Sequence, residues 1–253
     1  MPTIDRDGVE IYYQAHGSGP AVLLSHGYGA TSRMWDGQVA ALADRYRIIT
    51  WDMRGHGQSG DPADLALYSH ALTVSDMAAV LDACGVESAV IGGLSLGGVM
   101  SLGFHIAHPA RVRALLLCDT GPGFRNPDAR AAWNERAMAR ATELEEKGLD
   151  AARGGGETRL GTHRSARGLA GAARGMLAQF DDSLIQSLPM IRMPTLVLVG
   201  SEDKNFLGAA DYMTAKIAGA QKAVIDGAGH AANLDRPEAF NQAVGDFLAG
   251  LRA

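Results

Sequence analysis

The sequence lacks the features that would place a protein in a membrane or on nucleic acid. No apolar run approaches the length of about 18 residues that a membrane-spanning helix needs. The first residues contain no apolar core, so we expect no signal peptide. The formal net charge of −5 provides no basic surface for nucleic acid or an anionic membrane. We therefore expect a small molecule to be the partner, and the sequence leaves the oligomeric state open.

Cysteine is also scarce, with only Cys84 and Cys118 in 253 residues. One falls in a predicted helix and the other in a predicted strand, and neither has the spacing of a metal ligand or a redox pair. We expect two buried free thiols, as in a reducing cytoplasm. The sequence predicts no metal site.

A phosphate-binding loop of the Gly-Lys-Ser/Thr type is absent as well. Residues 55–60 match Gly-x-Gly-x-x-Gly, but Asp61-Pro62 follows where a helix should begin. No acidic residue at the end of a strand, where a ribose would be held, lies about 20 residues further on. We therefore expect no bound cofactor.

What the chain does contain is a regular alternation of short apolar segments and amphipathic helical segments. A hairpin is expected over Thr3–Gln14, and the composition, 47% hydrophobic and 20% charged, is sufficient for one substantial core. The alternation indicates parallel βαβ units with helices on both faces of the sheet. The further predicted strands are 21–25, 47–51, 89–91, 114–118, 195–199 and 223–225.

The alternation stops between Cys118 and Thr195. This stretch contains no strand-like run, is rich in Ala, Arg and Glu, and is interrupted by the glycines at 154–156. We interpret residues 121–190 as a helical cap inserted into one core domain, which residues 1–120 and 191–253 form. We do not expect the cap to fold independently.

Gly93-Leu94-Ser95-Leu96-Gly97 joins the apolar strand that begins at Ala89 to an apolar helix over Leu96–Ala107. A turn this tight requires a strained backbone at its central residue and glycines on both sides. It lifts the Ser95 hydroxyl clear of the sheet and places it at a helix N-terminus, where developing negative charge is favoured. Ser95 is therefore the candidate nucleophile.

A serine nucleophile needs a base, and the base needs an acid to orient it. Of the eight histidines, His230 follows the last strand and is expected at the sheet edge where Ser95 emerges. Asp203 follows the preceding strand, giving the chain order Ser95, Asp203, His230. Asp119 also ends a strand and remains an alternative acid.

Attack by a serine nucleophile produces a tetrahedral intermediate, whose oxyanion also needs hydrogen-bond donors. The Leu96 N–H at the start of the helix is one candidate. The loop His26-Gly27-Tyr28-Gly29 offers the Tyr28 N–H as the second, and we expect the His26 ring to support this loop rather than contact substrate.

Taken together, these motifs resemble those of α/β-hydrolase-fold serine hydrolases over nearly the whole chain. The resemblance implies a mostly parallel eight-stranded sheet and hydrolysis of a small or medium carboxylic ester or lactone through an acyl-enzyme on Ser95. The elbow and the short cap are most similar to those of 3-oxoadipate enol-lactonases and small carboxylesterases. The matching segments are His26-Gly27-Tyr28-Gly29, Asp52-Met53-Arg54-Gly55-His56-Gly57-Gln58-Ser59, Gly93-Leu94-Ser95-Leu96-Gly97-Gly98, Gly200-Ser201-Glu202-Asp203 and Gly229-His230.

Two alternatives remain open. An enzyme with this fold can instead act as a perhydrolase or cofactor-free haloperoxidase, with peroxide replacing water at the acyl-enzyme. A non-catalytic receptor can keep the three residues and use the cap as a lid over a bound ligand. Turnover distinguishes the receptor from an enzyme.

The cap should determine which substrate is used. Over residues 153–174 its arginines are opposed only by Glu157, and one of them would suit a substrate carboxylate, although a solvated polar face is the simpler interpretation. We assign Trp133, Met138, Phe180 and Phe206 to the substrate pocket, with Phe124 and Met176 as further candidates. The arginines are Arg153, Arg159, Arg164, Arg167 and Arg174.

Overall fold

The core of the computed structural model, which describes residues 2–152 and 154–251, is a sheet of eight strands. These are β1 (Thr3–Arg6), β2 (Val9–His16), β3 (Ala21–Ser25), β4 (Arg47–Trp51), β5 (Ala89–Leu94), β6 (Val112–Cys118), β7 (Thr195–Gly200) and β8 (Gln221–Ile225). Their order across the sheet is β1-β2-β4-β3-β5-β6-β7-β8. β2 is antiparallel to β1 and β4, and the remaining pairs are parallel. The predicted mostly parallel sheet is confirmed.

Helices cover both faces of this sheet, and others form the stretch between β6 and β7. They are α1 (Asp36–Leu42), α2 (His70–Ala83), α3 (Leu96–Ala107), α4 (Pro127–Lys147), α5 (Ala166–Ala172), α6 (Ser183–Ser187), α7 (Leu207–Lys216), α8 (Ala232–Asp235) and α9 (Pro237–Ala249). On one face α2, α3 and α7 bury Met77, Met100 and Met213. On the other face α1 and α9 bury Leu42 and Phe240. Among the helices described, none is long and apolar enough to cross a membrane.

The stretch between β6 and β7, called the cap segment below (residues 121–190), is helical and contains no strand among its described residues. Its longest helix, α4, begins where the Asn126 side chain accepts hydrogen bonds from the Asp128 and Ala129 N–H groups. It ends before Gly148, whose φ is +69°. Ala141 and Leu144 of α4 pack with Leu169 in a small apolar cluster that Tyr28 of the core also contacts.

β5 and α3 meet in a very tight turn at Ser95. β5 continues through Gly92 and Gly93 to Leu94, three residues beyond the apolar run that predicts it, because both glycines pair with β3 and β6. Ser95 then adopts φ +56° and ψ −117°, a strained conformation for a residue other than glycine. A Cβ atom at Gly97 would overlap the Ser25 carbonyl group, so the helix approaches β3 too closely for any larger residue.

We expect Gly97→Ala to lower the free energy of unfolding by about 1–3 kcal/mol or more, because the added methyl group forces α3 away from β3. Gly208→Ala in α7 is the matched control, since a Cβ atom there meets nothing within 4 Å. Urea unfolding of both variants tests this. Equal stability of the two variants would contradict the account of the turn.

Candidate active site

Hydrogen bonds on both sides of Ser95 hold the turn. The Ser95 N–H donates to the Cys118 carbonyl oxygen at 3.0 Å. The Thr120 hydroxyl donates to the Ser95 carbonyl oxygen at 2.6 Å. Both partners belong to the end of β6 and the residues after it. The predicted nucleophile therefore lies at the carboxyl edge of the sheet, tied to the neighbouring strand.

His230 and Asp203 meet at the same edge. The Nδ1 atom of His230 lies 2.7 Å from Oδ2 of Asp203. The loops that carry them are joined by two hydrogen bonds, from Gly227 N–H to the Ser201 hydroxyl at 2.9 Å and from Glu202 N–H to the Ala228 carbonyl at 2.9 Å. The Asp203 hydrogen bond fixes the proton on Nδ1 of a neutral imidazole, which leaves Nε2 as the acceptor.

The surroundings of His230 favour its charged form. Burial by itself would lower the pKa of His230, but the Asp203 hydrogen bond and the negative charges of Glu157, Asp203 and Asp119 raise it above its ordinary value. The Phe206 ring is stacked on the imidazole with 4.9 Å between ring centroids. A raised pKa suits a group that must hold a proton during a reaction step.

Asp119, the alternative acid, has a different partner. Its Oδ1 atom accepts a hydrogen bond from the Gly200 N–H at 2.8 Å, so it joins β6 to β7. Burial raises the pKa of Asp119 to about 7, although the Gly200 hydrogen bond acts in the opposite direction. The carboxylate in hydrogen-bond contact with His230 is that of Asp203.

The loop after β3 is held by the buried His26. Its Nδ1 donates to the Gly27 carbonyl oxygen at 2.7 Å, and its Nε2 accepts from the Met53 N–H at 2.9 Å. The ring therefore supports the loop, and burial lowers the pKa of His26. The Tyr28 side chain points into the cap segment, where its hydroxyl donates to the Leu169 carbonyl oxygen at 2.9 Å. No backbone partner of the Tyr28 or Leu96 N–H group is present among the described residues.

Glu157 of the cap segment also reaches this site, which the sequence does not predict. Its Oε1 atom lies 3.7 Å from Nε2 of His230. Its Oε2 atom packs where a Cβ atom of Gly27 would be, and that position is 3.2 Å from Cβ of Ser95. The one signal in the sequence is that Glu157 is the only acidic residue between positions 153 and 174, where five arginines occur.

A cavity of about 510 Å³ opens beside Ser95, within the usual size range of small-molecule sites. Ser95, Leu96 and His230 all line it. The expected pocket residues Trp133 and Phe206 line it, as does Phe124. Gln179 also lines it, and its buried Oε1 atom has no hydrogen-bond partner among the described residues.

Two of the assigned pocket residues lie elsewhere. Phe180 is 68% exposed and packs edge-on against His70, with 6.3 Å between the ring centroids. The Met138 sulfur atom accepts a hydrogen bond from Arg174 at 3.7 Å. Neither belongs to the cavity wall, and the further candidate Met176 is buried in the core. Helical spacing alone does not distinguish the cavity side of α4 from the side that faces the rest of the cap.

The arginines that the sequence singles out at 159, 164, 167 and 174 do not line the cavity. Arg159 pairs with Asp235, Arg167 with Asp61 and Arg174 with Glu145. Arg164 is exposed and does not line the cavity, and Arg153 lies outside the described residues. The arginine that does line the cavity is Arg136 of α4, an exposed residue with no ion-pair partner in the described ranges.

The other titratable groups near the site do not form a metal centre. In the described ranges no group of three or more His, Cys, Asp or Glu side chains is arranged to hold a metal ion. The rings of His26, His56 and His163 pack against one another, and burial lowers the pKa of all three. That the reaction needs no metal or cofactor stays a prediction.

Known proteins resemble this chain along most of its length. A model of the alpha/beta hydrolase family matches residues 22–243. The 3-oxoadipate enol-lactonase 1 of Acinetobacter baylyi is 30% identical over 270 residues, which covers 98% of this chain and 96% of that protein. A solved thermophilic esterase from Thermogutta terrifontis has a TM-score of 0.85 at 27% identity, covering 99% and 97% of the two chains. The enol-lactonase from Burkholderia xenovorans has a TM-score of 0.79 at 27% identity, covering 98% and 100%.

We expect Asp203→Asn to lower kcat for ester hydrolysis by roughly 10⁴-fold, because an amide favours the wrong tautomer of His230. Asp119→Asn should lower kcat far less, since the Asp119 carboxylate accepts a hydrogen bond from the backbone N–H of Gly200 rather than from the imidazole. Steady-state kinetics of the two variants on one activated ester provide the measurement. The opposite ranking would transfer the orienting role to Asp119.

Proposed function

The chain belongs to the alpha/beta hydrolase family, and we propose that it is a serine hydrolase of small or medium carboxylic esters or lactones. The observation that carries this proposal is the 2.7 Å contact of His230 with Asp203 at the sheet edge where the strained Ser95 emerges. The similarity to proteins named enol-lactonase and esterase supports the same substrate class.

In the proposed mechanism, the Ser95 hydroxyl attacks the carbonyl carbon while His230 Nε2 takes its proton. Asp203 keeps the imidazole in the required tautomer and stabilises its positive charge. The Leu96 and Tyr28 N–H groups hold the oxyanion of the tetrahedral intermediate. His230 then protonates the leaving oxygen atom as the carbon–oxygen bond breaks, which leaves an acyl group on Ser95.

Water completes the cycle. His230 removes a proton from a water molecule, whose oxygen atom attacks the acyl carbon. The second tetrahedral intermediate collapses, Ser95 recovers its proton from His230, and a carboxylic acid leaves. For a lactone, the alcohol and the acid are the two ends of one product. Multiple turnovers distinguish this enzyme from a receptor that binds its ligand unchanged.

The cavity suggests which esters fit. Its wall is largely apolar around Trp133 and Phe206, which favours an acyl or alcohol group of modest size. Arg136 lies at its exposed edge without an ion-pair partner among the described residues. A negatively charged group far from the reacting carbonyl would find a bidentate partner there. We also expect the enzyme to work in the cytoplasm, where Cys84 and Cys118 remain free thiols.

We expect Ser95→Ala to lower kcat on 4-nitrophenyl esters by a factor on the order of 10⁶, because the nucleophile and its base act as one unit. Steady-state turnover of purified wild type and variant provides the measurement. A variant that keeps a tenth of the wild-type activity would contradict the assignment of Ser95.

Removing Arg136 should weaken binding of anionic substrates selectively. We expect Arg136→Ala to raise KM for the 4-nitrophenyl monoester of glutaric acid about tenfold, equivalent to about 1.4 kcal/mol. The neutral 4-nitrophenyl valerate should be nearly unaffected, because it has no charge to lose. Arg164→Ala changes the net charge equally away from the cavity and serves as the control. Equal effects on both esters would contradict a role for Arg136 in anion binding.

A further inference from the structure

Glu157 places a carboxyl group where the proposed reaction needs space. One of its oxygen atoms lies 3.7 Å from Nε2 of His230, and the other packs on Gly27 in the loop expected to bind the oxyanion. Ser95 lies beside the second of these oxygen atoms, with its Cβ atom 3.2 Å from the place of a Gly27 Cβ atom. The carbonyl group of a substrate must contact the same three residues.

The chain that follows Glu157 is anchored to the core at two places. Two residues later, Arg159 pairs with Asp235 of α8 at 2.5 Å. Further along, His163 lies 2.9 Å from the Gly29 carbonyl oxygen through Nε2 and accepts from the Gly57 N–H through Nδ1 at 3.1 Å. These contacts hold the segment against the loops around Ser95. The insertion of Glu157 is therefore a consequence of how the cap segment docks on the core.

The carboxyl group has poor hydrogen-bonding partners in this position. Its Oε2 atom is buried and has no hydrogen-bond partner among the described residues. Burial raises the pKa of Glu157 to about 7, with the positive charge of His230 and a hydrogen bond to Ser95 acting in the opposite direction. A buried carboxyl group that is only partly satisfied is stabilised little by its position and is readily displaced.

We propose that the Glu157 carboxyl group occupies the position of the substrate's carbonyl group and must leave it before Ser95 can be acylated. This inference rests on the proposed function. Glu157 thereby competes with every substrate, and only molecules in which it has been displaced react. The three glycines at 154–156 precede it, so that few side-chain contacts oppose its withdrawal.

The same contact acts on the proposed base. The groups facing His230 are Asp203 on Nδ1, Glu157 near Nε2 and, at longer range, Asp119, and their negative charges raise its pKa. Arg159, two residues after Glu157, is paired with Asp235. Loss of the Glu157 charge lowers the pKa of His230, so the neutral, basic imidazole persists to lower pH.

The test uses paraoxon, an organophosphate that reacts with a serine nucleophile. As a bond forms between the Ser95 oxygen and the phosphorus atom, the bond from phosphorus to the 4-nitrophenyl oxygen breaks and one 4-nitrophenolate is released. We expect Glu157→Ala to raise the second-order rate constant of this reaction about tenfold. This increase corresponds to a wild-type protein in which Glu157 is displaced in about one tenth of the molecules. Glu157→Gln keeps the volume of the side chain but removes its charge, and it should raise the rate constant by a smaller factor. In both variants the acidic limb of the pH–rate profile should move to lower pH, because the pKa of His230 falls.

Controls separate the possible failures. Glu146→Gln removes the same charge from an exposed position on α4 and should react like wild type. Thermal unfolding midpoints verify that the variants are folded, and Glu157→Gln remains informative if Glu157→Ala does not fold. Rates equal to or below wild type in the folded variants, with an unchanged pH profile, would overturn the inference. Stoichiometric 4-nitrophenolate release by Ser95→Ala would instead overturn the proposed function.

Discussion

The backbone conformation of Ser95 is the constraint on which the rest of the site depends. A residue other than glycine at φ +56° and ψ −117° costs about 1–3 kcal/mol, which the surrounding packing must offset. That packing is the close approach of α3 to β3 at Gly97, together with the hydrogen bonds from Ser95 to Cys118 and from Thr120 to Ser95. Because the strain is held by the central strands, the hydroxyl group has a fixed position toward which the other loops converge.

Around this fixed hydroxyl group, the electrostatics are dominated by carboxyl groups. Asp203 is hydrogen-bonded to His230, while burial raises the pKa of both Asp119 and Glu157 to about 7. His230 has a raised pKa in the same environment. Near neutral pH these groups share protons, so a titration of activity reports the cluster rather than one residue. The cap segment contributes Glu157 to this cluster and therefore influences the core chemistry as well as the cavity wall.

The sequence predicts most of the fold and the proposed catalytic residues Ser95, Asp203 and His230, because these features are local. Strand and helix periods, the glycines around Ser95, and the positions of Asp203 and His230 after strands are all visible within a few residues. The position of Glu157 depends on how the cap docks, through contacts such as Arg159 with Asp235, 76 residues apart. The assignment of Phe180 to the pocket is wrong for a related reason. The sequence does not indicate which side of the cap faces the cavity. Arg136 was not predicted either, since one arginine on a polar helix resembles any other.

The central claim is that Ser95 carries the acyl group during turnover. Mixing the enzyme with excess 4-nitrophenyl butyrate, quenching in acid within milliseconds and measuring the intact mass tests it most directly, with peptide mapping to locate any adduct. We expect a transient butyryl adduct of one per chain, located on Ser95. Rapid 4-nitrophenolate release with an adduct on a different residue would contradict it.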